Sequence, residues 1–329
     1  MSLVFVLLLA ALGGGPPASD VAGAIAAARA LVNQDRSREA IASLQGQDAS
    51  LPAVALVLGV AHYRAGDAAE AVALLKPAVD RLAEGSVERR EAVQVLGLAL
   101  YLAGRIAESL PWLESTREWA GSNLELLQIL GTAYIQTRQP DKAREVLARA
   151  FGVPPDGASA HLLAAQMMIR LQQEPMAEEE LRKAIAKDPR LPQAHYLLGG
   201  IALFRARFEE ATDLTRKELE LNPGSNLAWS QLGDAYVRQQ KWDEAVAALQ
   251  RSIWVSPFYS APYILLGRAY MKQGQPGTAE AMLRRAIEYD PNNKQAHYLL
   301  GQVLQQAGRA EEARKELELA ERLQGAPGR

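Results

Sequence analysis

Chemistry in a polypeptide needs nucleophiles, metal ligands or titratable pairs at workable spacing, and this chain offers few. No cysteine occurs in its 329 residues. That removes disulfide frameworks, thiolate zinc sites, iron–sulfur clusters and cysteine nucleophiles together, and leaves the redox compartment open. The histidines are His62, His161, His195 and His297. The last three share one phase of a repeating pattern, the position held elsewhere by Trp229, so they are read as partly buried helix-face residues. A metal or general-base role would need carboxylate or histidine neighbours at helical spacing, and the sequence shows none converging. Glu178-Glu179-Glu180, Glu209-Glu210 and Glu311-Glu312 open amphipathic segments, where negative charge complements a helix N-terminus. They are read as helix starts rather than catalytic pairs. Gly13 to Gly15 precede no strand and form no phosphate-binding fingerprint. The expectation is a protein that is not an enzyme and carries no metal and no cofactor.

Composition narrows the class further. Hydrophobic residues make up 49% of the chain, enough for a substantial core and against a disordered protein. Lys and Arg number 36 against 38 Asp and Glu, so no basic excess exists to drive phosphate contacts, and no nucleic-acid partner is expected.

The elements that position these residues follow a period of 34. Pro155, Pro189, Pro223, Pro257 and Pro291 are spaced by 34 residues. The same spacing relates Gly97, Gly131, Ala165, Gly199, Gly233, Gly267 and Gly301, and again Ala143, Ala177, Ala211, Ala245, Ala279 and Ala313. Within 226–259, Trp229, Leu232, Gly233 and Tyr236 lie on one helical face. A break follows at Gln239-Gln240-Lys241, and Ala245, Leu249 and Ser252 resume the helical spacing before Pro257 stops the second helix. The repeated glycine costs helix stability, so its recurrence at one phase implies a close crossing of the two helices.

Trp229-x-x-Leu232-Gly233-x-x-Tyr236, with Ala245, Leu249 and Pro257, resembles the tetratricopeptide repeat (TPR) family. The resemblance covers essentially everything after Asp20 and implies an all-α protein, a right-handed α-solenoid of about nine helix-turn-helix units. Those units are 21–51, 52–89, 90–123, 124–157, 158–191, 192–225, 226–259, 260–293 and 294–327, with a tail at 328–329. Unit 21–51 is short, and 52–89 carries four extra residues, expected as a longer second helix around Arg81 to Arg89. Pro77 and Pro111 fall inside second helices, where kinks or early ends are expected. After the third small position comes an apolar residue in successive units (Phe151, Ile185, Leu219, Ile253, Ile287), but Glu321 in the last. A polar outer face there suits the terminal unit of a complete array.

In the family, first helices line a concave surface. Positions 2, 5, 9, 12 and 13 of each unit supply Leu56, Val60, Tyr63, Arg64, Gln94, Leu98, Tyr101, Gln128 and Thr132, then Gln166, Ile169, Arg170, Tyr196 and Leu203. Ser230, Asp234, Arg238, Arg268, Met271, Lys272, Tyr298 and Gln302 complete the set. From it the candidate partner-binding residues are Tyr63, Tyr101, Gln128, Gln166, Tyr196, Arg238, Arg268 and Lys272. Phe258 and Tyr259, a pair of aromatics at a junction that elsewhere holds small or polar residues, join them at one lip. This surface suits a protein or peptide segment with an apolar anchor and an acidic residue. Two counter-readings stand beside it: Asp234 neutralises Arg238 or Arg268, and Phe258 simply packs under Tyr263. The carboxylate clamp of some TPR domains begins with Lys at position 5, and no unit here has Lys there.

Leu3 to Leu12 reads LVFVLLLAAL, followed by Gly13-Gly14-Gly15-Pro16-Pro17. Ten residues reach about 15 Å as a helix, half the hydrocarbon thickness, so this is no transmembrane span. Residues 1–20 have the form of a signal peptide or hydrophobic leader with a Gly/Pro linker, although no Lys or Arg precedes Arg29. A cleaved leader places the protein in the periplasm or outside the cell; without cleavage it is cytoplasmic. The leading expectation is a non-enzymatic scaffold that binds an extended or helical partner segment, in envelope assembly or secretion by family analogy. The alternatives are a self-associating structural subunit and a carrier of an apolar small molecule.

Overall fold

A computed structural model describes residues 18–325. Leu3 to Leu12, the Gly/Pro linker and the tail 328–329 lie outside the described residues. The helices form two compact units, divided between Gly152 and Val153. The first contains α1 (Ala18–Asn33) paired with α2 (Ser37–Ser43), α3 (Pro52–Ala65) with α4 (Ala68–Val79), and α5 (Val87–Leu102) with α6 (Ile106–Ser115). A single turn, α7 (Arg117–Ala120), precedes α8 (Leu124–Gln136) and its partner α9 (Pro140–Phe151). The second unit holds α10 (Ala158–Arg170) with α11 (Glu174–Lys187), α12 (Ala194–Phe204) with α13 (Phe208–Leu221), and α14 (Asn226–Arg238) with α15 (Trp242–Val255). It ends with α16 (Ser260–Lys272) and α17 (Pro276–Tyr289), then α18 (Lys294–Gln306) and α19 (Ala310–Gly325). Among the described residues there is no strand, and the architecture is an α-solenoid of helix-turn-helix pairs.

Small residues set the distance between paired helices. A Cβ built at Gly233 would stand 2.5 Å from Leu249 Cγ, so α14 and α15 touch only because that carbon is missing. Ala143, Ala177, Ala211, Ala245 and Ala279 are all fully buried. The turn between paired helices has its own period. Gly104, Arg138, Gln172, Ala206, Gln240, Gly274 and Gly308 all adopt positive φ, between 56° and 75°. Only three of these are glycine, the residue for which this conformation is free of steric cost. Side-chain caps start several first helices: Ser225 accepts from the Ala228 amide at 3.2 Å and Asn293 from the Ala296 amide at 3.2 Å.

The extra residues near Arg81 to Arg89 do not lengthen a second helix, because α4 ends at Val79 and a turn follows. Gly85 takes φ +75°, and Ser86 caps a new helix by accepting from the Arg89 amide at 3.1 Å, so the added length goes to the turn and the start of α5. Pro77 and Pro111 do lie inside helices, and α4 and α6 run 12 and 10 residues against 14 for α11, α13, α15 and α17. Past Pro111 the chain forms α7, a turn the sequence pattern did not indicate.

Candidate functional site

In each unit, first helices pack on second helices of the preceding pair and also on neighbouring first helices, as α12 does on α14, α14 on α16 and α16 on α18. That shared layer is where the candidate residues stand. Some of its positions are consumed by the packing: Leu56, Val60 and Ser230, expected at the surface, are buried. The helices that carry them pack on adjacent first helices, α3 on α5 and α14 on α16.

In residues 18–152, Tyr63, Tyr101 and Gln128 are half-buried on α3, α5 and α8. Burial raises both phenols above the ordinary tyrosine value, and Glu125 adds to the rise at Tyr63. No hydrogen bond joins the side chains of Tyr63, Tyr101 and Gln128 among the described residues.

In residues 153–325 the arrangement is more specific. Gln166 on α10 donates from Nε2 to Oε1 of Gln193 at 3.3 Å. Glu218 of α13, buried to 1% exposure, accepts from the backbone amides of Gln193 at 3.1 Å and Tyr196 at 3.3 Å. This carboxylate caps α12 and fixes Tyr196, whose phenol is raised by burial and then by the nearby phenol of Tyr259. Tyr259 therefore belongs with Tyr196. Phe258 does not: its ring meets Tyr289 of α17 edge-on, with centroids 5.6 Å apart, and is 77% exposed. The two adjacent aromatics diverge, so they do not form one lip. Tyr263 also packs on Tyr289, at 5.4 Å.

Arg238 is tied to Asp234, Nε to Oδ1 at 3.1 Å, which withdraws it from the free cations. With Asp234 so engaged, Arg268 and Lys272 on α16 have no carboxylate within ion-pair reach among the described residues. They line a depression of about 630 Å³ with Met271, Tyr298, Leu299, Gln302, Gln305 and Gln306. Tyr298 is half-exposed, and its hydroxyl accepts from Gln302 Nε2 at 3.0 Å. Phe204, 77% exposed at the end of α12, is not among the residues expected from sequence. A signal existed: it holds the position that Arg170, Arg238 and Lys272 hold in their own units.

The histidines are more deeply placed than their spacing suggested. His161, His195 and His297 are buried, and two of them do have carboxylate neighbours. His161 Nδ1 lies 2.7 Å from Glu180 and His297 Nδ1 lies 2.6 Å from Glu316, each carboxylate coming from the paired helix. His195 and His297 also donate from Nε2 to the carbonyls of Pro189 and Pro291, at 3.0 and 2.9 Å. Trp229 Nε1 and the Tyr263 hydroxyl donate to Pro223 and Pro257 at 2.9 and 2.8 Å. This position latches the first helix to the junction six residues earlier. Among the described residues no three His, Asp or Glu side chains come together as a metal site would require.

One tetratricopeptide repeat sequence model matches residues 56–123, 130–192 and 264–328, more than half of the chain, and a second matches 228–257. The chain belongs to the tetratricopeptide repeat family. TPR proteins are in general protein-interaction scaffolds. PilF of Pseudomonas aeruginosa, a solved structure, is 21% identical over 62% of this chain and 93% of its own, with a TM-score of 0.50. MamA of Desulfovibrio magneticus is 20% identical over 51% of this chain and 94% of its own, at a TM-score of 0.47. YrrB, described as a TPR protein with an unusual peptide-binding site, is 20% identical over 55% of this chain and 93% of its own, at 0.46. At these identities the likeness to PilF shows the fold alone. No curated protein sequence matches the chain. Among the described residues no helix of this TPR protein is long and apolar enough to cross a membrane.

Proposed function

We propose that this TPR protein is a non-enzymatic scaffold holding an extended or helical segment of another protein on the first-helix face of residues 158–306. The supporting observation is the depression shared by α16 and α18, where Arg268 and Lys272, with no carboxylate in ion-pair reach among the described residues, stand beside Met271, Tyr298 and three glutamines. Cations, amides and apolar surface in one concavity suit main-chain hydrogen bonding with a side-chain anchor.

A photo-reactive benzoylphenylalanine placed at Tyr298 should cross-link the partner in cells, while the same group at Trp254, 76% exposed on the second helix α15, should not. Cross-links at Trp254 and none at Tyr298 would move the site. With the partner in hand, Tyr259→Ala and Arg268→Ala should each weaken binding by about 1–3 kcal/mol without unfolding the chain. Wild-type affinity in both would shift the site to the Tyr63, Tyr101 and Gln128 surface.

The setting we propose is export, in cell-envelope assembly or secretion, supported by the apolar run Leu3 to Leu12 and the Gly/Pro stretch behind it. Intact-mass measurement of native protein should then show loss of about 18 to 19 N-terminal residues. Full-length protein in the cytoplasm would overturn export and leave the scaffold reading standing.

A further inference from the structure

We propose that the segment held on this face is acidic, with a large apolar side chain set between its carboxylates. The proposal rests on the scaffold reading above and adds the chemistry of the partner.

The near-neutral balance of the chain conceals a partition. In residues 153–325 the first helices α10, α12, α14, α16 and α18 carry Arg170, Arg238, Arg268, Lys272 and Lys294 against the single carboxylate Asp234. The paired helices α11, α13, α15, α17 and α19 carry eighteen carboxylates against eleven Lys and Arg. Helix propensity does not ask for this, since Glu, Lys and Arg are comparable helix formers. The helix dipole explains acids in the first turns of second helices, but it would favour acids equally in the first turns of first helices, where none occurs. Self-pairing does not consume the cations either. Asp234 is engaged by Arg238, and among the described residues Arg170, Arg268 and Lys272 have no carboxylate within ion-pair reach. The Arg170 guanidinium instead rests 3.2 Å from the Met167 sulfur.

Position 13 of successive first helices reads Arg170, Phe204, Arg238 and Lys272. An aromatic ring 77% exposed to water thus stands in a row of cations, of which Arg238 is already held by Asp234. The complementary ligand has carboxylates for the cations and apolar groups, one for Phe204 and one for the Met271–Tyr298 side of the depression. The glutamine amides of α18 offer donors and acceptors to an extended main chain. Cations at positions 9 and 13 of one helix make this different from a clamp built on Lys at position 5.

Fluorescence polarisation with the full chain tests it, using three labelled peptides on one frame. These are Gly-Glu-Glu-Phe-Glu-Leu-Glu-Gly, the same peptide with Gln for every Glu, and the same with Lys for every Glu. At about 50 mM salt the Glu peptide should bind at least about tenfold tighter than the Gln peptide, with the Lys peptide weakest. That margin should narrow at about 300 mM. Arg268→Gln with Lys272→Gln should bring the Glu peptide to the level of the Gln peptide at an unchanged melting temperature. Phe204→Ser should weaken the Glu and Gln peptides alike. Equal binding of the Glu and Gln peptides would overturn the acidic proposal and leave the scaffold standing. Failure of all three peptides would also overturn it, with the scaffold then decided by the cross-links at Tyr298. Salt-sensitive self-association abolished by the double variant would assign the acidic surface to a second copy and overturn the external segment.

Discussion

A missing carbon and a recurring hydrogen bond do most to position the face at the residue scale. Gly233 accepts a helix penalty of about 1 kcal/mol because any Cβ there would collide with Leu249. Gly233→Val should lower stability by about 1–3 kcal/mol in urea unfolding, and an unchanged curve would mean that α14 and α15 separate at little cost. The latch position is less demanding. Trp229→Phe keeps a ring but removes the donor to the Pro223 carbonyl, so the expected loss is about 1 kcal/mol. The phase of His161, His195 and His297 was legible as a helix face. Their carboxylates were not, because Glu180 and Glu316 come from across a turn, and periodicity within one helix says nothing about what faces it from the next.

At the scale of elements, the turn and the charged ties between pairs matter more than the helices themselves. Ala206 sits at φ +56° in a row where Gly104, Gly274 and Gly308 hold the same turn. Ala206→Gly should raise stability by up to about 1 kcal/mol, the steric relief exceeding the entropy lost from the unfolded chain; a fall in the urea midpoint would contradict it. Glu178 of α11 is buried and bound by Arg182, Arg205 and Arg207, the last at 2.8 Å. The same tie recurs three repeats later, where Glu280 holds Arg284 at 2.7 Å and Arg309 at 2.6 Å. Burial pushes the Glu178 carboxyl up, but hydrogen bonds from Arg207 and Arg182 outweigh it and leave the group below its ordinary value. Its contribution to stability is therefore present above the unfolded carboxylate value of about 4 and lost as pH falls through the lower folded value. Urea midpoints measured between about pH 3 and 7 should drop steeply at the acid end for the wild type and less steeply for Glu178→Gln; parallel profiles would show that the tie is unimportant. Repeat spacing made the helix pairs readable. It did not reveal α7 or the turn after Val79, because the first unit departs from the period there and Gly85 and Ser86 set the local backbone instead.

For the whole molecule, net charge is the misleading quantity and its distribution the informative one. A formal charge of -2 conceals first helices of residues 153–325 on which Arg268 and Lys272, with no carboxylate in ion-pair reach among the described residues, stand beside tyrosine and glutamine. Sequence reading found Arg268 and Lys272 by repeat position alone. It grouped Arg238 with them by the same position and Phe258 by its place at a repeat junction. The i,i+4 spacing left Asp234 free to pair with Arg238 or Arg268, and only the structure shows Arg238 engaged and Phe258 turned to Tyr289. Hydrogen–deuterium exchange of the full chain, alone and with the cross-linked partner, tests most directly whether the first-helix face holds that partner. Slowed exchange in residues 260–272 and 294–306, with 276–289 and 310–325 unchanged, is the expected result. Slowing confined to the second helices 276–289 and 310–325 would contradict it.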